Sequence, residues 1–355
     1  MPVYNPTPTA TEAEDQLRLL SHLGDPLEKL DHYIDFEAFR PILLTVFPTA
    51  YQPKGGRPRL DPVMMFKVLI LQKLYGLSDH AMQFHIADRS SFQRFLKIKA
   101  IKAVPDEKTI WLFAEQIKTA GLIDQLFDAF GEKLRSSGLI AQAGKVVDAT
   151  IVEVPKQRNT REENEQIKAD EVPADWQQKP NKLRQKDVDA RWTKKNNKSY
   201  YGYKDHIKVD VKSKLIEDYE VGPANEHDSK VLAHLDFSAQ QDGAQGFWAD
   251  AAYWSEQIIK LVVEDWKMQE HICEKGKRNH PLTEEQKASN RVKSKVRSRV
   301  EHVFGHMRQS MGGFFIRKIG IERAAVEVGL KNLAYNMSRA AYLWQEQDRK
   351  NTAMG

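Results

Sequence analysis

The chain has 355 residues, 41% of them hydrophobic and 29% charged, and carries a net charge of +5. That length suits two or three domains, the composition is that of a soluble protein with a packed core, and so mild a basic excess does not by itself call for nucleic acid. A single cysteine, Cys273, excludes an internal disulfide and cysteine-based zinc motifs and fits a reducing, cytoplasmic setting.

The opening stretch MPVYNPTPTATEAEDQ is polar and has no apolar segment of the kind a secretory leader needs. The longest apolar run, VMMFKVLILQKLYG, is broken by Lys67 and Lys73 and is too short to span a bilayer, so no membrane association is expected. Residues 1–50 read as a helical segment suited to dimerisation, with amphipathic stretches at 12–23 and 27–39. Residues 51–140 begin with YQPKGGRPRLDP, a basic extended arm or a flexible linker, carrying Arg57 and Arg59. Asp61 followed by Pro62 predicts a helix start, and Gly76 predicts its end. Ser78 predicts a cap for SDHAMQFHIA, and the polar turn DRS leads into SFQRFLKIK. That order is helix, turn, helix, the arrangement that places a basic helix in a DNA groove, and it is also the order of a plain helical bundle. On the first reading Arg89, Gln93, Arg94 and Lys97 are DNA-contact candidates. Two further amphipathic helices follow, PDEKTIWLFAEQIKTAG and LIDQLFDAFGEKLRSSG, each closed by glycine.

The pattern changes in residues 141–345. KVVDATIVEV alternates and is β-branched, which predicts a strand. Residues 155–199 are nearly all polar or charged and read as a partly disordered or clamp-like insertion. Its basic end, running to Lys204 past Tyr200, Tyr201 and Tyr203, offers cations for phosphates and rings for bases, or is simply a solvated approach to a strand. YGYKDHIKVDV and KLIEDYEVGP predict a hairpin, and GFWADAAYW and MQEHICE two more strands, interleaved with helices and followed by two long ones. Three strands followed by alternating strands and helices predict a mixed sheet flanked by helices, the second part of an α+β chain with a helical N-terminal region. Residues 346–355 read as a polar tail.

Asp148 interrupts one apolar strand and Asp250 closes the apolar part of another. A carboxylate in such a place is unfavourable unless paired, hydrogen-bonded or bound to metal, and hard divalent cations take carboxylate oxygens. Glu301 is the natural third ligand. Arg297 and Arg308 lie on its face of a predicted helix, at offsets of four and seven, and would hold the phosphates of a nucleic acid beside a metal. His302 and His306 flank that face and read as packing or phosphate contacts. Trp254 reads as a core residue or as a wedge against a displaced base.

These motifs together resemble a known family. YQPKGGRPRLDPVMMFKVLILQ, GLSDHAMQFHIADRSSFQRFL, VVDATIV, FWADAAY and RSRVEHVFGHMRQ are similar to those of bacterial insertion-sequence transposases with a DDE triad, of the insertion-sequence-five type. The resemblance covers nearly the whole chain. It implies a ribonuclease-H-like catalytic core with Asp148, Asp250 and Glu301 as catalytic residues and metal ligands. It implies two Mg²⁺ ions, with Mn²⁺ able to substitute, acting in DNA cleavage and strand transfer. It also implies double-stranded DNA partners (terminal inverted repeats and target DNA), a homodimer in the synaptic complex, and a nucleoid-associated location. Where the family's helix carries a tyrosine and a lysine, this chain has Ser294 and Arg308. The alternative is a transposase-derived DNA-binding protein without catalysis.

Overall fold

The computed structural model describes residues 10–47, 59–140, 143–235, 237, 245–276 and 280–354. The chain divides into two units, one of residues 1–73, 77–122 and 340–355, the other of residues 74–76 and 123–339.

The first unit is helical: α1 (Ala10–His22), α2 (Pro26–Tyr33), α3 (Arg40–Leu44), α4 (Pro62–Tyr75), α5 (Asp79–Asp88), α6 (Ser90–Leu96) and α7 (Glu107–Thr119). Local chemistry sets where these helices start. The Asp61 carboxylate accepts from the N–H groups of Val63 (2.9 Å) and Met64 (3.0 Å), and Ser78 accepts from Ala81 N–H. Gly76, in the left-handed region at φ +63°, follows the end of α4. Only one extended residue, Arg89, separates α5 from α6, and α6 ends with Lys97 in a left-handed conformation. α4 is buried almost all round, including Lys67. That ammonium sits 4.8 Å from the Phe36 ring centre and 4.5 Å from that of Phe95, donates to the Phe95 carbonyl, and pairs with Asp31.

The second unit carries α8 (Leu122–Ser136) and one six-stranded sheet. Its strands are β1 (Gly144–Glu153), β2 (Arg191–Lys195), β3 (Lys198–Asp210), β4 (Ile216–Pro223), β5 (Gly246–Ala249) and β6 (Gln269–Ile272). β1 is central. It pairs antiparallel with β3 from Lys145↔Asp210 to Glu153↔Gly202, and parallel with β5 from Gly144↔Gly246 to Val146↔Trp248. β4 extends the antiparallel side and β6 the parallel side. With β2 set aside as part of the insertion, three antiparallel strands (β1, β3, β4) followed by two parallel ones (β5, β6), with the first in the middle, is the ribonuclease-H-like order.

The connections carry α9 (Arg161–Lys168), α10 (Ala174–Gln177), α11 (Pro180–Leu183), α12 (Asp228–Val231) and α13 (Glu256–Lys260). The long α14 (Glu284–Ser310) and α15 (Ile321–Met354) complete the chain. α14 buries Val300, Val303, Phe304 and Met307 at helical spacing. α15 is tied to the β4 backbone by Asn336, whose amide accepts from Ile216 N–H and donates to Ile216 O.

Two features differ from the sequence reading. Residues 346–354, read as a tail, continue α15, and Tyr33 donates to Asp348 (2.7 Å) within the first unit. The stretch 155–199, read as partly disordered or clamp-like, is folded. Thr160 and Glu163 form a reciprocal capping box on α9, and the fully buried Trp176 donates to Glu163 (2.7 Å). The ammonium groups of Lys182 and Lys186 lie 5.5 and 4.9 Å from the Trp176 ring centre. The buried Asp187 carboxylate accepts from the Tyr203 hydroxyl and from Ala190 N–H. β2 then pairs with β3 across a two-residue turn, Asn196–Asn197, both left-handed. One aromatic anchor and a polar network replace the apolar content that the sequence lacks there.

Trp176→Ala is therefore expected to loosen the insertion by about 3–5 kcal/mol. Limited proteolysis followed by mass spectrometry should show faster cutting within residues 155–190 and an unchanged β1–β3 core. Cutting at the wild-type rate would mean that Trp176 does not anchor this segment.

Candidate active site

Alternation along β1 puts Asp148 and Thr150 on the same face, and that face meets α14. Arg297 donates from Nη1 to Asp148 Oδ2 (3.0 Å) and from Nη2 to Glu301 Oε1 (2.6 Å). One turn of helix separates Arg297 from Glu301, so a single guanidinium joins the first and third predicted acids. Further along the helix Arg308 donates to the Thr150 hydroxyl (3.3 Å).

Asp250 stands just past β5 and caps the short turn Ala251–Tyr253, accepting from Ala252 N–H (2.8 Å). The last β1–β5 pair is Val146↔Trp248, and the same offset carried two residues on sets Asp250 level with Asp148. Electrostatics agree with that placement. Burial pushes the Asp148 carboxyl up to about 6, and the charge of Asp250 pushes it the same way; the Ala149 N–H, Arg297 and Lys195 oppose the rise. The Asp148 side chain is 15% exposed, whereas Glu301 is 53% exposed at the rim.

Among the described residues, no three or more His, Cys, Asp or Glu side chains are gathered closely enough to hold a metal ion. Arg297 supplies the positive charge between Asp148 and Glu301 instead. The donor set nevertheless suits a hard cation. It consists of carboxylate oxygens alone, and a carboxyl raised by burial and by a nearby like charge is one that a cation would stabilise in its ionised form.

The other expected contacts are scattered. Arg59 is exposed, and Arg57 lies outside the described residues. Arg89 lies over the Phe92 ring, and Lys97 is exposed. Gln93 donates to the carbonyls of Ile86 and Ala87, and Arg94 is paired with Asp25 (2.6 Å). Lys204 donates to Asp228 and to the Glu226 carbonyl, both at 2.6 Å. His302 contacts Lys214, and the His306 ring meets Tyr335 edge-on, so both have packing partners. Trp254 is 39% exposed, which corrects the core reading.

Two residues near the acids escaped the sequence reading. Tyr253 is fully buried, and burial followed by the charges of Asp228, Asp148 and Asp250 raises its hydroxyl pKa. Lys195, at the tip of the β2–β3 hairpin, is close enough to act on Asp148. The Asn-Asn pair that makes that hairpin was the available signal.

Family models match most of the chain. Residues 142–337 match the transposase DDE domain, and residues 14–116 match a transposase domain known as DUF772. The chain belongs to the DDE transposase family. Its match spans the sheet, Asp148, Asp250 and Glu301, and the specific insertion-sequence-five grouping is compatible with it. Transposases of this family generally use divalent metal ions. One solved structure, the cryo-EM structure of the piggyBac transposase synaptic complex with hairpin DNA, resembles this chain. Its TM-score is 0.46 at 11% sequence identity, over 90% of this chain and 75% of that one. Among the described residues, no helix of this transposase is long and apolar enough to cross a membrane.

The raised Asp148 carboxyl has a consequence for stability. Between roughly pH 4, where an ordinary aspartate ionises, and about 6, the folded chain holds a proton that the unfolded chain has lost. Stability of the metal-free protein therefore falls as pH rises through that window. Asp148→Asn is expected to stabilise it by about 1–3 kcal/mol at pH 8 and by almost nothing at pH 4. Urea unfolding in EDTA at the two pH values measures this. A loss of stability at pH 8 would mean that the Arg297 pair outweighs the burial.

Proposed function

We propose that this transposase binds the terminal inverted repeats of its own insertion sequence, cuts DNA strands there and joins the freed end to target DNA. The observation that supports this reading is Arg297 joining Asp148 of β1 to Glu301 of α14, with Asp250 past β5 near enough for its charge to act on Asp148. Asp148, Asp250 and Glu301 would hold two Mg²⁺ ions, with Mn²⁺ able to substitute, which supply charge neutralisation at the scissile phosphate and activation of a water or a 3′-hydroxyl.

The chain's own residues do the positioning. β1 is paired on both sides, which holds Asp148 against drift, and the Asp250 cap fixes its carboxylate at the mouth of β5. Arg297 competes with a cation for two of the carboxylates. Arg308, bonded to Thr150 two residues beyond Asp148, presents a guanidinium fork suited to phosphate oxygens. On this reading residues 51–140 form a helix-turn-helix-like DNA-binding domain and residues 141–345 the catalytic domain. Arg57, Arg59, Arg89 and Lys97 track the duplex, while Gln93 and Arg94 support α6 from within. Segment 1–50 would join two copies so that both ends are held together, and the work would be done on the nucleoid.

One observation favours a second reading, a DNA-binding protein without cleavage: Arg297 already engages both Asp148 and Glu301. A labelled duplex carrying the element's end separates the two. Wild type with Mg²⁺ is expected to nick it, and EDTA or Asp250→Asn to reduce nicking at least a thousandfold while duplex binding persists. Tight binding with no nicking under any divalent ion would establish the second reading.

A further inference from the structure

The far end of β1 builds a second feature. Glu153 N–H donates to the Phe314 carbonyl (2.7 Å), and Ile316 N–H donates to the Glu153 carbonyl (2.9 Å). This parallel bridge holds the chain that leaves α14 beside the chain that enters the insertion. Next to it opens a cavity of about 360 Å³, near the small end of the roughly 300–1,000 Å³ typical of ligand sites. Six cations line it: Lys156, Arg158, Lys182, Lys186, Arg317 and Lys318.

The one carboxylate in the wall is Asp187, and it is already engaged. It accepts from the Tyr203 hydroxyl and from the N–H groups of Asp189, Ala190 and Gly320. Lys182 is paired with Glu163 and Asp175, Lys186 donates to Arg158 O and Asn159, and Lys318 lies 3.9 Å from Glu327. Lys156, Arg158 and Arg317 are exposed, and among the described residues none has a carboxylate within salt-bridge distance. The side-chain oxygen of Gln157 is buried in the same wall without a hydrogen-bond partner among the described residues. Beside the cavity stands Trp192 of β2, 46% exposed, with the Lys156 ammonium 5.6 Å from its ring centre.

We propose that this cavity binds the phosphodiester backbone of a single DNA strand, with Lys156, Arg158 and Arg317 on neighbouring phosphates and Trp192 stacked on an adjacent base. The proposal rests on the DNA-processing reading above. A concave basic cluster, in which Lys156, Arg158 and Arg317 have no carboxylate partner among the described residues, next to an exposed indole matches single-strand binding, which joins backbone charge to base stacking. In a duplex the bases are paired inside and offer no free face to the indole.

The test uses the full chain in EDTA, so that no cleavage intervenes, and follows binding of a labelled oligothymidylate by fluorescence anisotropy. Wild type is expected to bind it. Arg158→Ala/Arg317→Ala is expected to weaken binding at least tenfold and to flatten the slope of log affinity against log salt by about 1.4, for two phosphate contacts. Trp192→Ala is expected to weaken it roughly five- to a hundredfold. Lys260→Ala/Lys287→Ala, which removes the same charge elsewhere, is expected to bind like wild type. Thermal midpoints verify that each variant folds, and the exposed positions of the two arginines favour this. Unchanged affinity in the arginine variant, or equal loss in the lysine control, overturns the proposal. Displacement of the oligonucleotide by millimolar inorganic phosphate would overturn it in favour of a small-anion site. Wild type that binds the end duplex but no oligonucleotide sinks the cavity proposal alone, whereas binding of neither sinks the DNA reading itself.

Discussion

Asp148 sits on a strand that is hydrogen-bonded on both sides, with Arg297 donating to it from α14 and the charge of Asp250 opposing it from beside β5. A carboxylate so placed is unfavourable for stability, and the sheet bears it because neighbouring elements are tied in around it. Lys145 at the start of β1 pairs with Glu217, close to Asp210, so the start of the strand is held by buried charge as well as by the apolar packing of Val146 and Val147. Val147 and Phe247 then face a continuous core with Tyr253, Val262 and Ile272. The site is rigid on that side and open on the side where Glu301 meets solvent.

Much of this was legible in the sequence, for local reasons. Asp61 with Pro62, and Ser78, capped the helices they announced, because capping depends on residues within one turn. Alternation in KVVDATIVEV gave β1 and put Asp148 on a defined face. Acids in apolar strands stood out because burial penalises them wherever the partner comes from. What the sequence could not show was partnership over distance. Arg94, a DNA-contact candidate, has Asp25 beside it, and the amide of Gln93, another candidate, holds the carbonyls at the end of α5.

The insertion is the clearest gap. A count of apolar residues over 155–199 predicts no core, and by that measure none should exist. The fold there depends on one tryptophan held between lysine stems, on a capping box, and on a buried aspartate shared with β3. Such polar networks are high-stakes, because each member needs its partners, and they leave little trace in periodicity. The Asn-Asn turn of β2–β3 was a local clue, since two consecutive left-handed residues favour asparagine, and so was the Thr160-to-Glu163 spacing of the capping box.

The bridge between Glu153 and the chain at Phe314–Ile316 makes β1 a ruler. Asp148 and Glu153 are fixed on one extended strand, about 17 Å apart at roughly 3.4 Å per residue. If a DNA strand follows β1, the interval between the place where it is cut and the place where it is gripped is set by the pleat of a single strand rather than by a hinge. Inserting one residue in β1 would turn the grip to the opposite face of the sheet, whereas inserting two would keep the face and lengthen the interval by about 7 Å. The chemistry of the acids and the spacing of the product ends would then be separately adjustable properties of one strand.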